Sequence, residues 1–258
     1  MDFIKFLGTA GARFVVARQL RSSGGIWLSL SGTHIHVDPG PGALVRALKS
    51  RPALDPQTLD AVFLSHKHLD HSGDVNAMIE AMTDGGFKPK GVLFAPSDAL
   101  EGEPVVFRYL RSFLERVEVL RENTGYRLKN VTLSIPGRHV HHGVETYGFK
   151  LRGENGPVIG YLPDAKYEER LAGEYQGSDI LIVNTVLRER RPDLEHLSLP
   201  DVEEIIKRVH PRKAILTHFG MTMLKHHPWE ETAEISQRTG TEVIAASDGM
   251  MLEIQADD

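Results

Sequence analysis

The hexapeptide His66-Lys67-His68-Leu69-Asp70-His71 is the most informative stretch of this 258-residue chain. It directly follows the apolar run Ala61–Ser65, which is typical of a short buried strand. A spacing of two in an extended chain points its first two histidines to the same side. The turn that follows directs its aspartate and its third histidine to a neighbouring position. Four candidate ligands in six residues, divided two and two, indicate a loop that serves two adjacent metal ions.

The overall composition limits the chemistry available to such a site. The chain contains no cysteine, which excludes disulfides, thiolate metal sites and cysteine nucleophiles. It contains 13 histidines, and histidine is the commonest metal ligand. A net charge of −5 disfavours an extended nucleic-acid surface, which usually shows a basic excess. Any metal site here is therefore expected to consist of imidazole and carboxylate groups.

Short strand-like runs alternate with amphipathic segments along the whole chain, without a linker, repeat or change of composition. We therefore predict a single α/β domain over residues 1–258, with two β-sheets covered by helices. No apolar run is long enough to span a membrane, and Met1–Gly8 resembles a strand rather than a secretory leader. These features predict a cytoplasmic protein with no membrane partner. Apolar periodicity predicts helices over Asp74–Thr83, Glu103–Val117, Leu199–Val209 and Trp229–Thr239.

The hexapeptide resembles the His-x-His-x-Asp-His signature of the metallo-β-lactamase superfamily. That resemblance implies an αββα sandwich in which two mixed β-sheets are flanked by helices. The segment His196-Leu197-Ser198, placed 22 residues before His218, resembles a marker of the ribonuclease Z and cyclic phosphodiesterase branch. The similarity also extends to five further segments, which are Phe6–Thr9, Ile35–Gly40, His142–Phe149, Gly160–Asp164 and Ile215–Phe219.

The resemblance implies a ligand set for two divalent metal ions. Zinc is the expected metal, with manganese or iron as alternatives, because all donors are nitrogen or oxygen. Asp164 is implied to bridge the two ions and, with Asp70, to orient the nucleophile. One ion is assigned His66, His68 and His142, and the other is assigned Asp70, His71 and His218.

The third histidine ligand is the least certain of these assignments from the sequence. His139, His141 and His142 lie close together, and local composition does not choose among them. The six-residue step to Gly148 favours His142. If the chain is extended here, His139 and His141 share the opposite face and serve as supporting residues.

Two further residues have candidate roles beside the metals. Asp38 ends a predicted strand at a place where the resemblance implies a carboxylate that orients a ligand histidine; the alternative is a turn-capping aspartate. His196 is not needed as a ligand and is the candidate general acid; the alternative is a polar residue at a loop end.

Some polar features have simpler interpretations by default. The segment Gly8–Ala12 resembles a phosphate-binding loop, but a turn at the end of a strand explains it equally well. Two basic clusters are candidates for contact with an anionic substrate; the alternative is that both are solvent-exposed surface. These clusters are Arg13, Arg18 and Arg21, and Arg188, Arg190 and Arg191. The remaining histidines are expected on the surface or in loops, namely His34, His36, His210, His226 and His227.

Three functions are compatible with this sequence. The first is a hydrolase that acts on a small phosphodiester or cyclic phosphate, and His196 favours it. The second is hydrolysis of a carboxylic ester, thioester, lactone or amide on the same metals, and the third is a non-catalytic metal-binding accessory role. Only 21 residues separate His142 from Asp164, where ribonuclease Z enzymes carry a long tRNA-clamping arm. We therefore expect a small anionic substrate rather than extended nucleic acid, and a homodimer is an alternative to the monomer.

Overall fold

The chain alternates short strands with helices of one to three turns in the computed structural model, which describes residues 1–154 and 156–255. The strands are β1 (Asp2–Phe6), β2 (Ile26–Leu30), β3 (Thr33–Val37), β4 (Ala61–Phe63), β5 (Val92–Ala95), β6 (Arg116–Val119), β7 (Thr124–Leu128), β8 (Val131–Ile135), β9 (Arg138–His139), β10 (Thr146–Tyr147), β11 (Phe149–Arg152), β12 (Val158–Leu162), β13 (Ile180–Asn184), β14 (Lys213–Thr217), β15 (Glu242–Ala245) and β16 (Met251–Ile254). The α-helices are α1 (Ala12–Ala17), α2 (Ala43–Lys49), α3 (Leu69–Ser72), α4 (Val75–Met82), α5 (Arg170–Glu174), α6 (Leu199–Val209), α7 (Met221–Leu224) and α8 (Pro228–Thr239). None of the helices in these described residues is long and apolar enough to cross a membrane.

Among the described residues, the strands form two large mixed sheets and one short antiparallel pair. The first sheet has the order β16-β1-β2-β3-β4-β5-β6 and the second has the order β15-β14-β13-β12-β11-β8-β7. Apolar side chains from the facing surfaces of both sheets fill the space between them. Helices α2 and α4 cover the outer face of the first sheet, and α5, α6 and α8 cover the outer face of the second. The αββα sandwich expected from the sequence is confirmed.

Two helices illustrate how the sequence specifies this arrangement. In α4, Val75, Met78, Ile79 and Met82 are all buried, as their helical spacing predicts. Helix α6 begins at a capping box, in which Ser198 and Asp201 satisfy each other's backbone N–H groups. This cap fixes the start of α6 directly after the segment that carries His196.

The helix predicted over Glu103–Val117 is wrong. The structure has a 3-10 helix over Arg108–Phe113, followed by β6 over Arg116–Val119. Proline and β-branched residues at 104–106 disfavour an α-helix. The backbone amides of Val105 and Val106 instead bond to the carbonyl of Ala99, and β6 pairs in parallel with β5 at the sheet edge. The periodicity of the segment reflects contacts with the core rather than a regular helix.

Parallel pairing places the functional loops at one end of the sandwich. Strands β3 to β6 are parallel in the first sheet, and β12 to β15 are parallel in the second. In open α/β sheets, ligands bind beyond the carboxyl ends of such strands. Asp38, the hexapeptide, Asp164 and His218 follow β3, β4, β12 and β14 at these ends.

Candidate metal centre

The hexapeptide changes direction at His68, and this change separates its side chains into two groups. Residues 65–68 continue β4 without regular structure, and α3 (Leu69–Ser72) then carries Asp70 and His71. The loop after β3 approaches this turn closely. A Cβ atom at Gly40 would lie 2.0 Å from the carbonyl oxygen of Asp70, so only glycine permits the approach.

The first group consists of three imidazoles. Nitrogen atoms of His66, His68 and His141 lie within 4.8 Å of one another, and Nδ1 of His68 is 3.1 Å from Nε2 of His141. The other ring nitrogen of His141 is 2.9 Å from the carbonyl oxygen of Glu195, and Nδ1 of His66 is 3.0 Å from Oγ of Ser65. These outer contacts leave one nitrogen of each of these two rings directed at the group.

The structure places His141 beside His66 and His68, whereas His142, the ligand favoured from the sequence, lies farther from these two rings. The assumed extended chain is interrupted, because His142 (φ 42°) and Gly143 (φ 73°) both adopt left-handed backbone conformations. The His142 side chain is 37% exposed, and its backbone N–H donates to the Glu195 carboxylate. The turn thus directs His142 towards the adjacent cleft.

The second group consists of Asp70, His71 and His218, which lie within the same 4.8 Å limit. Oδ2 of Asp70 is 3.5 Å from Nε2 of His218 and 3.8 Å from Nε2 of His71. His218 follows β14 in a left-handed backbone conformation, with φ of 58°. Asp70 and His218, 148 positions apart in the sequence, therefore meet because β4 and β14 end on the same side of the sandwich.

Asp164 lies between the two groups. Its carboxylate is 3.6 Å from Nε2 of His141, 3.7 Å from Nε2 of His71 and 3.2 Å from Nδ1 of His218. Asn184, at the end of β13, donates a 3.0 Å hydrogen bond to its Oδ1 atom and fixes its orientation. A single buried carboxylate thus contacts histidines from both groups.

Three side chains of the cluster have ionisation states that suit metal binding. Burial alone would raise the pKa of Asp164, but His218 and His196 hold that pKa well below its usual range. Burial lowers the pKa of His68 and of His141 to about 4, so both rings are neutral at pH 7. Neutral imidazole and ionised carboxylate are the forms that bind metal.

Buried imidazole nitrogens without a hydrogen-bond partner also indicate a cation site. Nε2 of His66, Nε2 of His71 and both ring nitrogens of His218 are buried without a hydrogen-bond partner among the described residues. Leaving buried polar atoms unpaired is costly, so each such atom requires an explanation. A divalent cation held by such nitrogens and by Asp70 and Asp164 fits this donor set.

Asp38 supports the second group from outside. Its carboxylate accepts hydrogen bonds from the backbone and hydroxyl of Ser65, at 2.7 Å each, and from the Tyr161 hydroxyl at 2.6 Å. Its Oδ2 atom is 3.0 Å from Nδ1 of His71, which leaves Nε2 for the cluster. Burial opposes protonation of His71, but Asp70 and Asp38 raise its pKa well above the usual range.

His196 lies at the edge of the cluster. Its Nδ1 atom is buried 3.5 Å from Oδ2 of Asp164, and its ring centre is 4.9 Å from that of His141 and 5.0 Å from that of His142. Burial lowers the pKa of His196, and the Asp164 carboxylate opposes this shift. Its side chain is 13% exposed, so Nε2 is the nitrogen available to a bound molecule.

A cleft of about 680 Å³ opens over both groups. His68, Asp70, Asp164 and His196 line its floor, and Arg13 lies on its wall. The remaining lining is largely apolar, and two of its side chains are strongly exposed at the rim, Phe14 at 62% and Leu69 at 74%. The cleft therefore combines a polar floor over the cluster with a largely apolar wall.

The segment Gly8–Ala12 is a turn rather than a phosphate-binding loop. The backbone amides of Gly8, Ala10 and Gly11 donate to the carbonyls of residues 25, 22 and 219. The Thr9 amide donates to the Asp248 carboxylate. These amides are therefore engaged within the protein.

The two arginine clusters also differ in their surroundings. Arg188, Arg190 and Arg191 each pair with acidic side chains. Arg13 lines the cleft and has no carboxylate partner among the described residues. Of the six arginines in these two clusters, Arg13 is the one that lines the cleft.

Two histidines outside the cluster are buried, and for one of them the surface assignment is wrong. His36 in β3 is fully buried and its Nε2 is 2.8 Å from the Gly24 carbonyl oxygen. His139 is also buried, with Nε2 2.9 Å from the Tyr175 hydroxyl. Strand alternation alone did not reveal that β3 is covered on both faces.

Comparison with protein families and with curated proteins identifies relatives of the chain. Residues 33–219 match the family model described as the beta-lactamase superfamily domain. An uncharacterised protein of Methanocaldococcus jannaschii is 35% identical, over 97% of this chain and 94% of its own length. A ribonuclease Z of Methanosarcina acetivorans is 23% identical, over 97% of both chains.

Comparison with solved structures identifies the same fold. The metallo-β-lactamase fold protein YhfI of Bacillus subtilis is similar with a TM-score of 0.80 and 17% identity, over 97% of this chain and 98% of its own. A diphosphatase of the PhnP family has a TM-score of 0.71 and 19% identity, over 99% of this chain and 98% of its own.

Proposed function

Because the chain belongs to the metallo-β-lactamase superfamily, we propose that it is a dinuclear metal-dependent phosphodiesterase that acts on small phosphodiesters or cyclic phosphates. The observation that carries the proposal is His196, whose ring borders both the cluster and the cleft. Relatives named as ribonuclease Z and as a diphosphatase act on phosphate groups, which supports the same substrate class.

We assign the cluster to two divalent ions, with zinc as the expected metal. His66, His68 and His141 would hold one ion, Asp70, His71 and His218 would hold the other, and Asp164 would contact both. Such ions supply Lewis-acid polarisation of the substrate and a nucleophile at neutral pH. In this assignment Asp70 and Asp164 also orient the attacking water.

The other side chains of the cleft have roles in proton transfer and substrate contact in this proposal. His196 is positioned to hold a proton on Nε2 and to donate it to the oxygen of the departing alcohol. Asp164 stabilises the protonated ring from the side of Nδ1, at 3.5 Å. The exposed Phe14 and Leu69 side chains would contact the apolar part of the substrate.

Long structured RNA is a poor fit to this site. The region between His142 and Asp164 forms β10 and then the antiparallel pair of β11 and β12, which leaves little chain for a clamping arm. The net charge of −5 also disfavours an extended contact with phosphates.

The substrate class is tested by comparing turnover of the metal-loaded protein on four probes. We expect kcat/KM for bis(4-nitrophenyl) phosphate to exceed that for a lactone and for a thioester by at least about tenfold, or 1.4 kcal/mol in barrier height. Precursor tRNA should be cleaved more slowly than the small diester. Preferred hydrolysis of the lactone or thioester would establish the acyl substrate class instead, and rapid tRNA processing would contradict the small-substrate proposal.

The choice between His141 and His142 is tested by metal content. Wild-type protein should contain close to two divalent ions per chain by elemental analysis. We expect His141→Ala to lose about one ion, because its Nε2 faces both His68 and Asp164. The adjacent variant His142→Ala is the matched control and should retain both ions. Loss of an ion from His142→Ala alone would restore the assignment made from the sequence.

A further inference from the structure

A second cavity lies in the first sheet's outer layer and shares no lining residue with the cleft over the metal cluster. It has a volume of about 520 Å³, within the range of small-molecule sites. Lys5 of β1, Arg46 and Lys49 of α2, and Arg51 line it. Four cationic side chains thus line one concave surface, although the chain as a whole has a net charge of −5.

These cations have no carboxylate partner among residues 1–154 and 156–255. Arg46 and Lys49 are three positions apart on one helix, where like charges are destabilising. Attraction to the C-terminal end of the helix dipole accounts for those two residues. It does not account for Lys5 or Arg51, which lie outside α2.

Lys5 is the second and independent observation. The residue is only 4% exposed, and its Nζ donates a 3.0 Å hydrogen bond to the Arg51 carbonyl oxygen. An ammonium group has three N–H donors, so two remain for another partner. Burying a cation without a counter-ion is costly, and an anion in the adjoining cavity would remove that cost.

The acidic residue on the cavity wall is engaged elsewhere. The Asp248 carboxylate accepts hydrogen bonds from the amide and hydroxyl of Thr9 and from the amide of Ser22. It stabilises the Gly8–Ala12 turn and does not pair with any of the four cations among the described residues. The cavity thus keeps a positive excess.

We propose that this cavity is a binding site for a multiply charged phosphate anion, of the diphosphate or triphosphate class, distinct from the hydrolytic site. Arginine forks and lysine ammonium groups are the usual partners of phosphate oxygens. The volume accommodates such an anion with Lys5 at its base and Arg46 and Arg51 at its rim. The proposal does not depend on the reaction at the metal centre.

The test is calorimetric titration of the metal-loaded protein with inorganic triphosphate. We expect Lys5→Met and Arg51→Gln each to weaken binding by at least about tenfold, because each removes a charge-assisted hydrogen bond. Lys225→Gln removes an exposed lysine outside the cavity and should bind like wild type. Thermal unfolding of each variant shows whether the fold is retained, and Arg51→Gln, with its exposed side chain, covers the case in which Lys5→Met does not fold.

Two further binding measurements distinguish this site from binding at the metal cluster and from a nucleic-acid surface. Asp164→Ala, which alters the metal cluster, should retain triphosphate binding, and loss of binding there would place the anion on the metals and overturn the proposal. Unchanged affinity in both Lys5→Met and Arg51→Gln would also overturn it. If these substitutions weaken binding of a 20-nucleotide RNA more than binding of triphosphate, the surface serves nucleic acid instead, and the proposal is wrong.

Discussion

Asp164→Ala should lose metal from both positions and with it nearly all hydrolytic activity. The carboxylate contacts His141 of the first group and His71 and His218 of the second. Without it, both groups lose the negative charge that they share. Removing one partner of a buried ion pair costs about 3–5 kcal/mol, which corresponds to roughly 10²–10⁴-fold in metal affinity. Elemental analysis and turnover of the small diester measure the two effects.

Two variants make the test specific to this position. Asp70→Ala should lose about one ion, because its carboxylate contacts only His71 and His218 among the histidines of the cluster. Asp164→Asn keeps the shape of the side chain but not its charge, and should resemble Asp164→Ala if the charge is what matters. Equal metal content in wild type and Asp164→Ala would contradict the bridging assignment.

His196→Ala should keep both metal ions and slow the hydrolysis of diesters with alkyl leaving groups by about 10²–10⁴-fold, the usual scale of general acid catalysis. An alkoxide is a poor leaving group and needs a proton, which Nε2 of His196 is placed to donate. A nitrophenolate departs without that proton, so the aryl diester should be affected far less. The measurement compares kcat for the two substrates in the same preparation of the variant.

The neighbouring His142 provides the control for this experiment. Its ring borders the same cleft, 5.0 Å from His196, but it does not contact Asp164. His142→Ala should therefore slow both substrates similarly and only slightly. Loss of a metal ion from His196→Ala, or an equal loss of rate on both substrates, would show that His196 is not the acid.

The parts of this site that could be predicted from the sequence are those encoded locally. The two groups of the hexapeptide follow from a strand that ends in a turn, because alternation in an extended chain and reversal at α3 are short-range effects. The sandwich likewise follows from short strands alternating with amphipathic helices. The capping box at Ser198 is visible as a pattern of four residues.

The parts that could not be predicted depend on backbone conformation or on distant partners. The choice of His141 over His142 depends on two left-handed residues, His142 and Gly143, and non-glycine residues adopt that conformation rarely. Tyr161 and Asn184 orient Asp38 and Asp164 from separate strands, and no local pattern links those pairs. Gly143, directly after His142, is the sequence signal that a turn interrupts the extended run.

The Asp38 carboxylate also determines when the site is completed during folding. It joins Ser65, which follows β4 of the first sheet, to Tyr161 of the second sheet, 123 residues away from Asp38 in the sequence. Contacts between such distant residues form late, because closing a long loop precedes any stabilisation from the contact. A nascent chain that has left the ribosome only as far as β8 therefore carries the hexapeptide and Asp38 but not Tyr161, Asp164 or His218. Because Asp164 and His218 follow strands of the second sheet, we expect the metal cluster to form only when the two sheets have packed together.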